Sequence, residues 1–320
     1  MLREHRKTNF EAMNNLPSRY LVVIAGPTAV GKTALAIQLA KHFRSVIISA
    51  DSRQFYRELS IGTAKPNEEQ LKEIPHYFVN NKSINELYGA GHFEKEAIDC
   101  LTELFEAHSI LFMVGGSGLY IDAVLNGVDE FIDIPPTVRE TLNTRFKEEG
   151  ITWLQNELKH HDPEYFNKVD VNNSQRIVRA LEVFTHTGIP YSKFLNREKP
   201  DRNFTPIKIL INTERKELYE RIDRRVDEMM KLGLLEEAKK FLDRRSLNAL
   251  KTVGYKELYN HLDGTYGIDT AVEKIKQHTR NYAKRQLTWF KNKDVFQEFD
   301  SNDLEKIIEH INRLTNKNRS

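Results

Sequence analysis

The chain has one cysteine, Cys100, among its 320 residues, which excludes an internal disulfide and a cysteine-based zinc site. Long hydrophobic runs are missing too: the longest, at 20–25 and 110–114, are strand-sized and far below the roughly 18 residues of a membrane span. The first nineteen residues, MLREHRKTNFEAMNNLPSR, contain no hydrophobic block, so they do not read as a secretory signal. Nor is there a surplus of charge of one sign. Lys and Arg total 48 against 46 Asp and Glu, a net charge of +2, so bulk charge does not announce a nucleic-acid partner.

What is present is globular in character. Hydrophobic residues make up 39% and charged residues 29%, enough of the first for a core and of the second for a solvated surface. With Cys100 read as core packing on an amphipathic helix, the expectation is a cytoplasmic protein without a membrane anchor.

Residues 1–19 read as a flexible basic tail. The segment 20–134 alternates strand and helix signals: strands at 20–25, 45–50 and 109–114, helices through about His42 and over 93–107. That alternation predicts an α/β fold with a parallel sheet covered by helices. Pro135-Pro136 breaks the pattern, and 135–205 reads as short helices without a strand, a helical insertion. A strand signal returns at 206–212, and helices run to 320 with a short strand-like break at 294–299.

GPTAVGKT, residues 26–33, follows the first strand and opens a helix, the context that makes G-x-x-x-x-G-K-[ST] a phosphate-binding P-loop of the nucleotide-binding, ATP-binding type. Gly26, Pro27, Thr28, Ala29, Val30 and Gly31 form the wrap, Lys32 supplies a charge, and Thr33 can hold Mg²⁺. NTP-hydrolysing relatives of this motif place an acid after a later core strand. Here 109–114 runs into Gly115-Gly116-Ser117-Gly118, and the acid at a strand end is Asp51 instead. The pattern leaves two readings: a small-molecule kinase, or an enzyme that stabilises a diphosphate leaving group. Asp51 itself, alone, could merely cap a turn.

The order of GPTAVGKT, SADSRQFY (49–56), IGTAKP (61–66), PHY (75–77), VGGSGLY (114–120), QRIVRALEVF (175–184), ERIDRRVDEMM (220–230), VGYKEL (253–258) and RNYAKRQLTWF (280–290) resembles the bacterial tRNA dimethylallyltransferase (tRNA isopentenyltransferase) family. The resemblance spans nearly the whole chain. It implies a P-loop NTPase-like core with a helical insertion that binds tRNA, working as a monomer. It further implies that dimethylallyl diphosphate places its diphosphate in residues 26–33. Asp51 then accepts a proton from the exocyclic amine of the adenosine 3′ of the anticodon, and Thr33 holds Mg²⁺.

Arg225 matches the arginine that stabilises the leaving group, with Arg221, one turn earlier, in competition. The anticodon stem-loop is expected to meet Asp51, Ser52, Arg53 and Gln54, together with Ser117, Arg139, Gln175, Arg176, Ile177, Val178 and Arg179. Ser117 stands where threonine is more frequent and keeps the hydroxyl. The zinc finger of eukaryotic members is absent, which implies a bacterial-type enzyme.

Seven basic residues and no acid lie between 274 and 293. Helical projection puts Val272, Ile275, Tyr282, Ala283, Trp289 and Phe290 on one side, read as core packing. Lys276, Arg280, Lys284 and Lys291 fall opposite, read as contacts to a phosphate backbone. His76, His160, His161 and His278 show no metal-ligand spacing. Three rival functions remain: an adenylate isopentenyltransferase acting on free nucleotide, a small-molecule P-loop kinase, and a noncatalytic RNA-binding protein. The insertion and basic stripe count against the first, and the intact Lys32, Thr33 and Asp51 against the last.

Overall fold

The computed structural model describes residues 19–128, 132, 134–195 and 200–316; of the basic tail, only Arg19 lies among them. Two compact units divide the chain, one formed by 1–125 with 201–320, the other by 126–200. The second unit therefore begins before Pro135 and ends short of residue 205.

The first unit is built on a six-stranded sheet, β1 (Tyr20–Ala25), β2 (Ile47–Ser49), β3 (His76–Tyr77), β4 (Ile110–Gly115), β5 (Thr205–Ile211) and β6 (Gln297–Phe299). All pairings are parallel, in the order β3-β2-β4-β1-β5-β6. The apolar runs at 20–25 and 110–114 fall in adjacent register, Tyr20 opposite Ile110 and Ala25 opposite Gly115. Successive side chains of β1 feed opposite faces: Tyr20, Val22 and Ile24 enter one core, Leu21, Val23 and Ala25 the other. A strand buried on both faces is why its sequence is continuously apolar rather than alternating.

Helices cover both faces. In chain order they are α1 (Lys32–His42), α2 (Glu68–Glu73), α3 (Ala90–Leu104) and α4 (Gly118–Asn126) before the insertion. After it come α8 (Arg215–Lys231), α9 (Leu234–Lys239), α10 (Tyr255–Leu262), α11 (Ile268–Lys293) and α12 (Leu304–Asn316). Leu35 and Leu39 of α1, Ile222 of α8 and Ile307 of α12 fill one core, while Phe93 of α3, Ile121 of α4 and Phe290 of α11 fill the other. A third cluster packs Val226, Leu234, Ala238, Tyr255, Leu258 and Ile275 away from the sheet.

The second unit holds α5 (Pro136–His161), α6 (Pro163–Phe166) and α7 (Ser174–Thr187). Gly150, at φ 78°, breaks α5 in two. Leu142, Leu154, Leu158, Ile177 and Leu181 make its own small core. Among the described residues no helix is long and apolar enough to cross a membrane.

Candidate active site

Parallel strands bring their carboxyl ends to one edge, where open α/β sheets bind ligands. The loop after β1, the segment after β2 and the glycine-rich turn after β4 meet there around a cleft of about 890 Å³. Lys32, Thr33, Asp51, Arg53, Arg225 and Arg285 all line it. Its volume lies within the range of small-ligand sites.

Two glycines shape the loop. Gly31, at φ 103°, turns the chain into α1 through the left-handed region. A Cβ on Gly26 would stand 2.5 Å from the Ile211 carbonyl, so no other residue lets the loop leave β1 at this angle. Lys32 Nζ donates to the Pro27 carbonyl at 2.6 Å. Desolvation lowers its pKa to about 7; Asp51 opposes that shift and Arg225 adds to it. A loop lysine near half-protonation at neutral pH gains most from a diphosphate, which supplies the negative charge its surroundings lack.

Arg221 and Arg225 both line the cleft and differ in what holds them. Arg221 is committed to the scaffold: it donates to the Val30 carbonyl at 3.1 Å and to Ser301 Oγ at 3.4 Å, and pairs with Glu217 at 2.6 Å. Arg225 donates to Thr28 Oγ1 at 3.4 Å, inside the loop. Its side chain lines the cleft; desolvation lowers its pKa, and the charge of Asp51 counters this.

Asp51 follows β2 and accepts the Arg53 N–H through Oδ1 at 3.0 Å, which orients the carboxylate. The rest of DSRQ is held by the protein. Ser52 N–H donates to Ser117 Oγ at 2.9 Å, and Arg53 Nη1 to the Asn248 carbonyl at 3.0 Å. Gln54 Nε2 donates to the carbonyls of Thr63 and Ala64, while its Oε1 accepts from Ser49 Oγ at 3.2 Å. The loop carrying those carbonyls is pinned by Glu237, a buried carboxylate that accepts the amides of Ser60, Ile61 and Gly62 and the Tyr255 hydroxyl. Ser117 and Gln54 are thus bracing groups in this structure.

The expected RNA contacts on the insertion divide into three kinds. Gln175 and Arg176 are exposed at the start of α7. Ile177 and Val178 are not: both are buried in the insertion core, so their side chains are withheld from any external ligand, a correction to the sequence reading. Helical spacing places them on the apolar face of α7, and a contiguous motif cannot put every member on one side. Arg139 makes a two-pronged contact with buried Glu182, at 2.5 and 2.7 Å, and Arg179 lies 3.8 Å from the same carboxylate.

The basic helix α11 also departs from expectation. Lys276 pairs with Asp227 and Arg280 with Asp223, both acids coming from α8, and Lys291 pairs with Glu298. Among the described residues, Lys284 alone of the four has no ion pair. On the other side Ile275, Ala283 and Phe290 are buried, but Tyr282 and Trp289 remain more than a third exposed, so they are not core residues. Tyr282 lines the cleft, its hydroxyl pushed up to about 12 by desolvation and then by the charge of Asp51.

Sequence reasoning missed Gln286, Glu237 and the segment 251–254, which also lines the cleft. One signal was available for Gln286: a polar residue on the apolar stripe of an otherwise regular amphipathic helix.

Among known proteins, the model of the family described as IPP transferase matches residues 54–293. A tRNA dimethylallyltransferase of Flavobacterium johnsoniae is 49% identical over 300 residues, covering 92% of this chain and 97% of its own length. One of Christiangramia forsetii is 48% identical, covering 93% and 99%. The crystal structure of a full-length tRNA isopentenylpyrophosphate transferase from Bacillus halodurans is similar at a TM-score of 0.68 with 37% identity, over 94% of this chain and 97% of that one. A eukaryotic dimethylallyltransferase acting on tRNA is similar at a TM-score of 0.75 with 28% identity, over 90% and 75%. A P-loop at the end of β1, an acid after β2 and a match spanning most of the chain lead to one assignment: the chain belongs to the IPP transferase family.

Proposed function

We propose that this chain transfers a dimethylallyl group from dimethylallyl diphosphate to the exocyclic amine of the adenosine 3′ of the anticodon in tRNA. The observation that carries the reading is the shared cleft. Asp51 stands with Lys32, Thr33 and Arg225 around one cavity, while β4 ends in Gly115 and runs into Gly116-Ser117 without a carboxylate. A base and an anion cradle are present, and the acid that NTP hydrolysis places after such a strand is not.

In the reaction the amine nitrogen forms a bond to the allylic carbon as the carbon–oxygen bond to diphosphate breaks. Asp51 takes the proton the amine loses, and the electron pair leaves with the diphosphate. Charge grows on the departing oxygens, so the loop amides, Lys32 and Arg225 stabilise the transition state more than the ground state. A divalent ion such as Mg²⁺ fits this donor set: Thr33 would hold it, with diphosphate oxygens and water completing the sphere, since Mg²⁺ asks few ligands of the protein. Among the described residues no cluster of three or more His, Cys, Asp or Glu could hold a metal unaided. When bound, such an ion neutralises diphosphate charge.

A target base paired in a helix is out of reach, so the adenosine must come from a loop and be turned into the cleft. Gln175 and Arg176 are the exposed groups of the insertion suited to hold that RNA. The chain would act in the cytoplasm, as a monomer. Initial rates with labelled dimethylallyl diphosphate on an anticodon stem-loop, AMP and ATP at equal concentration test the reading. The stem-loop is expected to be modified and the nucleotides to be nearly inert. Equal rates on AMP would assign a nucleotide prenyltransferase, and phosphoryl transfer from ATP without prenyl transfer would assign a kinase.

A further inference from the structure

The apolar side of α11 is interrupted by one amide. Gln286 is 6% exposed, one turn after Tyr282 and one before Phe290. A buried amide needs both ends answered. Here Oε1 accepts the Thr28 N–H at 2.9 Å, and Nε2 donates to the Gly116 carbonyl at 2.8 Å. One side chain thus ties the loop after β1 to the turn after β4.

The approach depends on glycine at two places. A Cβ on Gly116 would lie 2.2 Å from Gln286 Nε2, and one on Gly118 would lie 2.2 Å from the Trp289 ring. Two successive turns of α11, at Gln286 and Trp289, therefore seat on Gly116 and Gly118 of the glycine-rich turn. The consequence falls on Thr28. Its N–H, turned toward Gln286, is withdrawn from the anion cradle, and its hydroxyl lies 3.4 Å from Arg225.

We propose that Gln286 is a positioning residue for the leaving-group site, fixing the Thr28 peptide and through it Arg225 in the orientation the departing diphosphate requires. This rests on the transfer reading above. Glutamine is needed because the site asks for one acceptor and one donor at the same place. A carboxylate answers Thr28 but opposes the Gly116 carbonyl with lone pairs; a neutral carboxylic acid answers both.

The test uses the full chain and two variants, Gln286→Met and Gln286→Glu, with single-turnover rates on the stem-loop from pH 6 to 8.5. Gln286→Met is expected to lower turnover about tenfold or more, the scale of leaving buried polar groups unpaired. Its stem-loop KM should stay put, and its affinity for inorganic diphosphate, read by calorimetry, should weaken. For Gln286→Glu the rate relative to wild type should rise as pH falls, because protonation restores the donor to Gly116, whereas the methionine ratio stays flat. Should Gln286→Met fail to fold, the pH ratio of Gln286→Glu alone decides.

A pH-independent glutamate ratio, turnover within twofold of wild type, or a loss confined to stem-loop KM would overturn the proposal. Wild type that binds inorganic diphosphate but transfers no prenyl group would instead overturn the transfer reading. In that event, equal diphosphate affinity of wild type and Gln286→Met would overturn the Gln286 proposal as well.

Discussion

The cations of the cleft and those of the insertion differ in what answers them. In the cleft, Lys32 rests on a carbonyl and Arg225 on a hydroxyl, with Asp51 the opposing charge felt by both. In the insertion, Arg139 and Arg179 converge on Glu182, a buried carboxylate. The first arrangement leaves both cations without a bonded carboxylate among the described residues; the second ties both to one, so part of their charge is spent in the fold. Equal residue types therefore carry different expectations: loss of Lys32 or Arg225 should show in turnover, and loss of Arg139 in stability.

The largest effect is expected at Asp51. Asp51→Asn should lower single-turnover rates by roughly a hundredfold or more, the scale of losing a general base, while stem-loop affinity stays close to wild type. Near-normal turnover would remove Asp51 from the proton transfer.

The arginine pair on α8 sharpens the contrast within one helix. Arg225→Ala should cost on the order of a hundredfold in turnover, as expected for a donor aimed at developing charge. Arg221→Ala should act mainly on thermal stability, because it removes a brace from the Val30 carbonyl. Reversed outcomes, with Arg221→Ala the slower enzyme, would exchange their roles.

On the insertion, Arg139→Ala leaves Glu182 with only the longer Arg179 contact and should destabilise that unit by about 1–3 kcal/mol. Arg176→Ala, at an exposed position, should leave the melting temperature unchanged and weaken stem-loop binding. A melting temperature that Arg139→Ala does not move would show that the Glu182 pair contributes nothing net.

The lysine of the loop predicts a pH effect. Its folded-state pKa of about 7 lies far below the ordinary lysine value, and a bound diphosphate favours the charged form. Above pH 7 the free protein must then take up a proton to bind, so diphosphate affinity should fall as pH rises, by at most tenfold per unit. Calorimetry in buffers of different ionisation enthalpy would register the uptake, and a pH-flat affinity would contradict it. The smallest effect is expected from Lys284→Glu on α11, which should reduce the salt dependence of RNA binding by no more than about one unit of slope. Charge reversal at Lys276 and Arg280 should instead show in stability, since Asp227 and Asp223 already hold them.

The physical limits of the sequence are visible in particular elements. β1, β2 and β4 were legible because burial on both faces favours apolar runs, and β5 because its apolar residues continue on either side of Lys208. The two-residue β3 was not, since His76 and Tyr77 carry no periodicity and pair only because β2 lies beside them. The loop 26–33 and Asp51 could be read because their chemistry depends on local spacing and on the end of a strand. The engagement of Lys276, Arg280 and Arg139 could not, because their acids lie on other elements. Arg280 and Asp223 stand 57 positions apart and meet only when α8 and α11 pack.

What the sequence by itself determined is the parallel α/β core, the phosphate loop, the acid after β2 and the family. Each rests on residues close together in the chain or on motifs kept in order along it. Only the tertiary structure decided that Arg221 is paired with Glu217 while Arg225 meets the Thr28 hydroxyl, that Ile177 and Val178 are buried, and that Gln286 joins Thr28 to Gly116. Those are matters of which face a side chain presents and what stands opposite, and both are fixed by the packing of helices distant in sequence.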